Sequence, residues 1–216
     1  MLWTTVSAQR GEHSITLHAN LNDDARIFPA PNAPDPVLRN QSEALGSAFS
    51  AAVSWRSRIW RTVRVDLRGE YVSHDKVSSD PVGTPITNGL RVLLLEGSAL
   101  FALPFSSARF EMYVGGGIGV STGQRRYAIA AIESQSVSST PALGMQVILG
   151  AEYLIFDALG MRFELLFRDP QMSVENQFPT DAVVANGVRY HLATTPFRSN
   201  INLNGNVYSL GIFYCF

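Results

Sequence analysis

Imidazoles, carboxylates, hydroxyls and guanidinium groups are the side chains of this sequence that could hold a metal, relay a proton or attack a carbonyl. The histidines are His13, His18, His74 and His191, and no two of them stand two or four residues apart. Paired imidazoles on one strand or helix need such spacing to share a metal, so no metal-ligating residue is assigned. "GGGIG" at Gly115–Gly119 has the glycines of a phosphate loop, but the only lysine is Lys76. Without Lys-Ser or Lys-Thr directly after the glycines such a loop cannot clamp a nucleotide, so no cofactor-binding residue and no cofactor is expected. Two base-like pairs remain. His74-Asp75 is a lone pair at a loop edge, and His191 in "YHLATT" is followed two residues on by Ala193, with Thr194 displaced by one place. Neither puts a hydroxyl beside its base, as nucleophilic catalysis requires. No catalytic residue is assigned, and an enzyme is not expected.

The remaining charges follow a regular beat. "TVRVDLRGEYV" sets Arg64, Asp66, Arg68 and Glu70 against Val63, Val65, Leu67 and Tyr71. "LRVLLLEGSALFAL" places Glu96 opposite Leu93, Leu95 and Phe101, and "RFEMYVGGGIGVS" places Glu111 opposite Phe110, Met112 and Val114. Glu152 in "ALGMQVILGAEYLIF" and Arg162, Glu164 and Arg168 in "GMRFELLFRD" likewise sit on the face away from the large apolar side chains. Side chains of a strand alternate between its two faces, so all ten charges lie on one face of a sheet. Opposite charges buried together offset part of the desolvation cost that either would suffer alone. The ten are therefore expected to form a paired charge network inside a barrel.

The elements that must position them share this period of two. "SITLHANL" puts Ile15, Leu17, Ala19 and Leu21 on one face, and "ALGSAFSAAVSW" does the same for Phe49, Ala51, Val53 and Trp55. "NVYSLGIFYCF" repeats the pattern with Tyr208, Leu210, Ile212, Tyr214 and Phe216, which makes eight strands. Short connections, at Arg56 to Arg58, Pro104 to Ala108 and Asp157 to Gly160, alternate with long ones, at Asn22 to Ser42, Ser73 to Asn88, Gly123 to Thr140 and Asp169 to Asn204. The implied fold class is all-β: a closed antiparallel up-and-down transmembrane β-barrel of eight strands. Asn186-Gly187 in the last long connection is a hairpin signal. It marks either a small hairpin outside the barrel or an added pair that would make ten strands.

Composition indicates which face meets which solvent. Hydrophobic residues make up 46% and charged residues 16% of the chain, against roughly 25% charged in an average soluble domain. The net charge of −1 gives no field to attract nucleic acid, and no nucleic-acid partner is expected. The charged face is rich in small residues, among them Gly46, Ala48, Ser50, Ala52, Gly115, Gly117, Gly119, Gly144, Gly150 and Gly211. Small residues mixed with long charged ones suit a narrow lumen filled by side chains. The apolar face carries Trp55, Tyr71, Phe101, Phe110, Tyr153, Phe167, Tyr208 and Phe216 toward the strand ends, like the aromatic girdles of membrane barrels. A soluble, lipocalin-like barrel would reverse the two faces. Val6-Ser7-Ala8 before Gln9 has the small-residue pattern of an export cleavage site. Residues 1–8 are therefore read as the remnant of a longer export signal and residues 9–216 as the barrel domain.

Several segments resemble the small outer-membrane β-barrel family of Gram-negative bacteria, which includes the OmpA transmembrane domain and OmpX-like proteins. "MYVGGGIGV" at Met112–Val120 is similar to that family's Tyr-Val-Gly-x-Gly-x-Gly strand. "LGAEYLIFDALGMRFELLFRD" at Leu149–Asp169 looks like its Gly-x-Glu-Tyr strand, short turn and following acid-bearing strand. Ser209, Gly211, Tyr214 and Phe216 occupy the places of its polar-x-Gly-x-x-apolar-x-aromatic assembly signal. The resemblance implies an integral outer-membrane location, with long loops extracellular and termini periplasmic. It also implies a stand-alone monomeric barrel that contacts outer-membrane lipids, lipopolysaccharide and, during insertion, the barrel-assembly machinery. The function it suggests is non-enzymatic: envelope integrity and loop-mediated adhesion or binding of an extracellular ligand. Arg26, Arg39, Arg125, Arg126, Arg189 and Arg198 lie in the long connections, where guanidinium groups could meet lipid phosphates. A narrow pore or small-solute transporter is the alternative, and an outer-leaflet lipid A hydrolase the third reading. The latter is weakened at Ala193, where lipid A deacylases of this shape carry a serine.

Overall fold

A computed structural model describes residues 11–105, 107–203 and 205–216. The expected remnant of an export signal, residues 1–8, lies outside the described residues. The chain begins with β1 (His13–Phe28), a one-turn helix α1 (Pro36–Asn40), β2 (Glu43–Arg58), β3 (Val63–Ser79), β4 (Pro85–Ala102) and β5 (Phe110–Ile129). There follow β6 (Ile132–Glu133), β7 (Gln135–Thr140), β8 (Ala142–Leu154), β9 (Leu159–Arg168) and β10 (Gln171–Gln177). The last are β11 (Ala182–Ala185), β12 (Val188–His191), β13 (Phe197–Asn202) and β14 (Gly205–Cys215). Among the described residues no helix is long and apolar enough to cross a membrane.

Eight of these strands close a ring in the order β14-β9-β8-β5-β4-β3-β2-β1, and β1 pairs back onto β14. Every pairing is antiparallel. The last ladder rung joins His13 N–H to the Phe216 carbonyl at 3.1 Å and Phe216 N–H to the His13 carbonyl at 2.9 Å. Closure leaves no open edge in this part of the wall. The faces are inverted relative to a soluble barrel. Outward Leu143 and Phe49 are 81% and 76% exposed, whereas inward Arg162 and Glu70 are each 1% exposed. The eight aromatics expected on the apolar face are all exposed, and Trp60, Phe105 and Phe156 join them at the short turns.

The wall continues beyond the ring. On the long-connection side β7, β10 and β13 carry the sheet upward, with β13 paired to the end of β1 and β10 paired to both β13 and β7. Most of what the sequence suggested as long loops is therefore strand: β1 runs to Phe28, β3 to Ser79 and β5 to Ile129, and β4 begins at Pro85. The upper wall lacks a ladder between β2 and β3, whose pairing stops at Ser50 and Val72, and between β5 and β7. There Ser139 Oγ lies 3.5 Å from the Gly123 amide and 3.4 Å from Thr122 Oγ1. The count is eight ring strands rather than ten, because β11 and β12 form a separate two-stranded sheet. Their turn at Asn186 and Gly187 has φ of 50° and 77°, the left-handed pair that this hairpin type demands.

Two irregularities change what the wall encloses. Register shifts between Asn22 and Ala25, where Asp24 has φ of 64°, and Ala25 pairs with Gly46, whose φ is 89°. A bulge of this kind reverses the alternation beyond it. Below it Ile15, Leu17 and Phe49 point outward; above it Ala25, Ile27 and Leu45 point inward. Gly46 was expected to fill the lumen, but it is an exposed kink residue instead. With Val72, Leu90, Val92, Leu94, Met172, Val174 and Ile201, the inverted residues form an apolar core above the charged one.

Candidate functional site

The lumen of the ring is filled by charge. All ten predicted network residues (Arg64, Asp66, Arg68, Glu70, Glu96, Glu111, Glu152, Arg162, Glu164 and Arg168) are buried and face inward. They project from β3, β4, β5, β8 and β9, and the ladders set Arg68 opposite Glu96, Glu111 opposite Glu152 and Glu152 opposite Arg162. Arg64 reaches Glu111 at 2.6 Å and Glu152 at 3.1 Å, and Arg68 reaches Glu164 at 2.9 Å. Arg162 donates to Glu152 at 2.9 Å through Nε, and Arg168 grips Glu70 at 2.8 Å and Glu96 at 3.4 Å.

The hub of this network lies outside those ten residues, at Arg56. Arg56 was expected in a tight turn, but β2 continues through Arg58 and places the Arg56 guanidinium at the centre of the lumen. It binds Asp66 and Glu164, each at 2.8 Å, and Glu152 at 2.5 Å. It also lies 4.5 Å over the Tyr113 ring, whose hydroxyl donates to Glu164 at 2.6 Å. Gly150 makes room for that ring: a Cβ there would sit 2.4 Å from Tyr113. His18 was also unassigned. It is buried between Ser54 and Ser209, with each hydroxyl 3.0 Å from a ring nitrogen, and Glu164 lies 3.9 Å away. These are the ingredients of a hydrolytic set, yet all are enclosed by the wall. Two lumen cavities, of about 10 Å³ beside Glu96, Gln146 and Arg168 and about 20 Å³ beside Arg56, Arg64 and Glu152, have room for one or two waters.

The long-strand mouth is closed by a third layer. Arg125, expected to face lipid phosphates, instead points inward: Nε donates to Asn88 Oδ1 at 3.0 Å and Nη1 to Ser199 Oγ at 2.6 Å. Its guanidinium lies 4.4 Å over Tyr127, which packs edge-on against Phe178 and Phe197. The β11–β12 hairpin then crosses the mouth to the β3–β4 turn. Asn186 Nδ2 donates to the Val82 carbonyl at 3.2 Å, and the Tyr190 hydroxyl donates to Asp80 and contacts Thr84 Oγ1 at 2.9 Å.

The other candidates separate. His74 bonds the Leu45 carbonyl at 3.1 Å on the inner face, while Asp75 turns outward to Arg126. Neighbours along a strand face opposite ways, so the two never meet at a substrate. His191 is exposed on β12. Arg26 pairs with Asp24 at 2.7 Å and Arg198 with Glu175 at 3.4 Å. At the ring seam Ser209 and Gly211 face inward, and Tyr214 and Phe216 are exposed.

An eight-stranded ring with an apolar exterior and an ion-paired interior is the fold of the small outer-membrane β-barrels. No protein-family model and no curated protein matches the sequence. Among solved structures the chain is similar to the outer membrane protein OprG of Pseudomonas aeruginosa, at 14% identity and a TM-score of 0.61, covering 97% of this chain and 98% of that one. It is also similar to neisserial surface protein A, NspA, at 13% identity and a TM-score of 0.54, covering 95% and 97% of the two chains.

Proposed function

We propose that this protein is an integral outer-membrane barrel without enzymatic activity, acting as a monomer in envelope integrity and in binding at its long-strand rim. The observation that carries this reading is the inversion of the faces: an unbroken apolar exterior around buried, mutually paired charges. Lipid is the solvent that such an exterior fits, and OprG and NspA supply the same fold. By this reading the short turns, with His13 and Phe216, lie at the periplasmic rim and β7, β10–β13 outside. Outer-membrane lipids and lipopolysaccharide surround the wall, and the assembly machinery reads Ser209, Gly211, Tyr214 and Phe216 during insertion.

Extraction and heat-dependent gel mobility test the location: the protein should need detergent and change mobility on boiling. Cells lacking it should become sensitive to detergent, and re-expression of the intact chain should restore resistance. Full resistance in the deletion strain would remove the integrity role. The narrow-pore reading has less support, because the two cavities beside the charge network have room for no more than one or two waters each. His191 without a neighbouring hydroxyl gives equally little to the hydrolase reading.

A further inference from the structure

Above the apolar band, the outer face of β7, β10, β13 and the end of β1 differs from the rest of the wall. Cross-strand pairing sets Thr140, Ser173, Asn200 and Phe28 in one row and Gln171, Asn202 and Arg26 in another. A third row holds Ser138, Glu175 and Arg198. Its charges are compensated within the face: Glu175 takes Arg198 at 3.4 Å and a hydroxyl bond from Ser138 at 2.9 Å, while Arg26 is held by Asp24. What the face offers outward is thus a grid of amides and hydroxyls with one aromatic at its edge. Four strands at about 4.8 Å spacing give a patch roughly 14 Å wide, enough for a short oligosaccharide.

We infer that this face binds the saccharide of a glycolipid seated in the outer leaflet. Amides and hydroxyls both donate and accept, which matches sugar hydroxyls, whereas a net-neutral face has little to offer a polyanion. The lipid-borne source follows from position. β9 and β14 continue directly below β10 and β13, and they end in the exposed Phe167 and Tyr208, so a headgroup anchored against those rings meets the polar rows next. The inference rests on the membrane reading above.

The test uses the full chain in detergent micelles and three probes: lipopolysaccharide with its core oligosaccharide, lipid A alone, and the released oligosaccharide. The core-bearing glycolipid should bind about tenfold or more tightly than lipid A, and Gln171→Ala with Asn200→Ala should abolish that preference. The double variant should keep its heat-dependent mobility. If it does not, Ser138→Ala with Thr140→Ala, on the exposed neighbouring strand, must abolish the preference instead. Equal binding of the two glycolipids, or an unchanged preference in folded variants, overturns the sugar face and leaves the barrel standing. Free oligosaccharide binding as tightly as the glycolipid overturns the lipid-borne source. A chain that stays in solution without detergent overturns the membrane reading and this inference with it.

Discussion

Glu164 is the side chain on which the lumen's charge converges, receiving Arg56 at 2.8 Å, Arg68 at 2.9 Å and the Tyr113 hydroxyl at 2.6 Å. Removing one partner of a buried ion pair strands the other, at a cost of roughly 3–5 kcal/mol. Glu164→Gln should therefore lower barrel stability by about that amount, read from urea unfolding in vesicles; unchanged stability with raised ion conductance would instead mark a conducting lumen. At the mouth, the Asp80 carboxyl is held below its ordinary 3.8, chiefly by the Tyr190 hydroxyl and also by the Thr84 and Val82 amides. A carboxyl lowered by folding stabilises the folded state above its unfolded value and loses that contribution as pH falls through the folded one. The clamp on the β11–β12 hairpin should thus hold at neutral and mildly acid pH and loosen only as pH falls below that ordinary value. Protection factors of the hairpin amides check this, and Asp80→Asn should loosen the hairpin at every pH. The ten network charges were legible because each occupies an alternate position in a strand with an apolar opposite face. Arg56 was not legible, because a strand that outruns its hydrophobic pattern looks like a turn.

At the level of elements, the eight ring strands and the hairpin at Asn186-Gly187 could be read from alternation and turn chemistry. The upper wall could not. Period-two reading assumes that phase is constant along a segment, and the bulge at Asp24 and Gly46 breaks that assumption, turning Ala25, Ile27 and Leu45 inward. In β4 the run from Val92 to Leu95 is apolar on both faces, so alternation alone does not mark Val92 and Leu94 as inward. The serines, asparagines and glutamines of β7, β10 and β13 resemble loop composition and became strands only through pairing with β1 and with one another. Gly46, with φ of 89° and open space around the missing side chain, isolates the backbone contribution. Gly46→Val should cost about 1–2 kcal/mol from left-handed strain alone, measured as a shift in the same unfolding midpoint. Gly150→Ala should act differently: it should displace the Tyr113 ring, lower stability and alter near-ultraviolet dichroism, the signature of a moved aromatic.

For the whole molecule, three stacked layers of different chemistry fill one tube: ion pairs within the ring, an apolar core above them, and Arg125 with its aromatic and amide neighbours at the mouth. A planar-bilayer recording should accordingly show little or no steady conductance, and long-lived openings of constant size would contradict this filling. The pairing of β1 with β14 bears also on time. Of the eight ring strands these are the first and last in chain order, and their ladder, ending in the His13–Phe216 exchange, joins the two ends of the ring's sequence. Contacts of such separation are entropically late and make folding slow. Until they form, β1 and β14 each present an unpaired edge that invites association with another chain. The same seam that makes the finished ring edgeless obliges the unfinished one to be shielded until β14 meets β1.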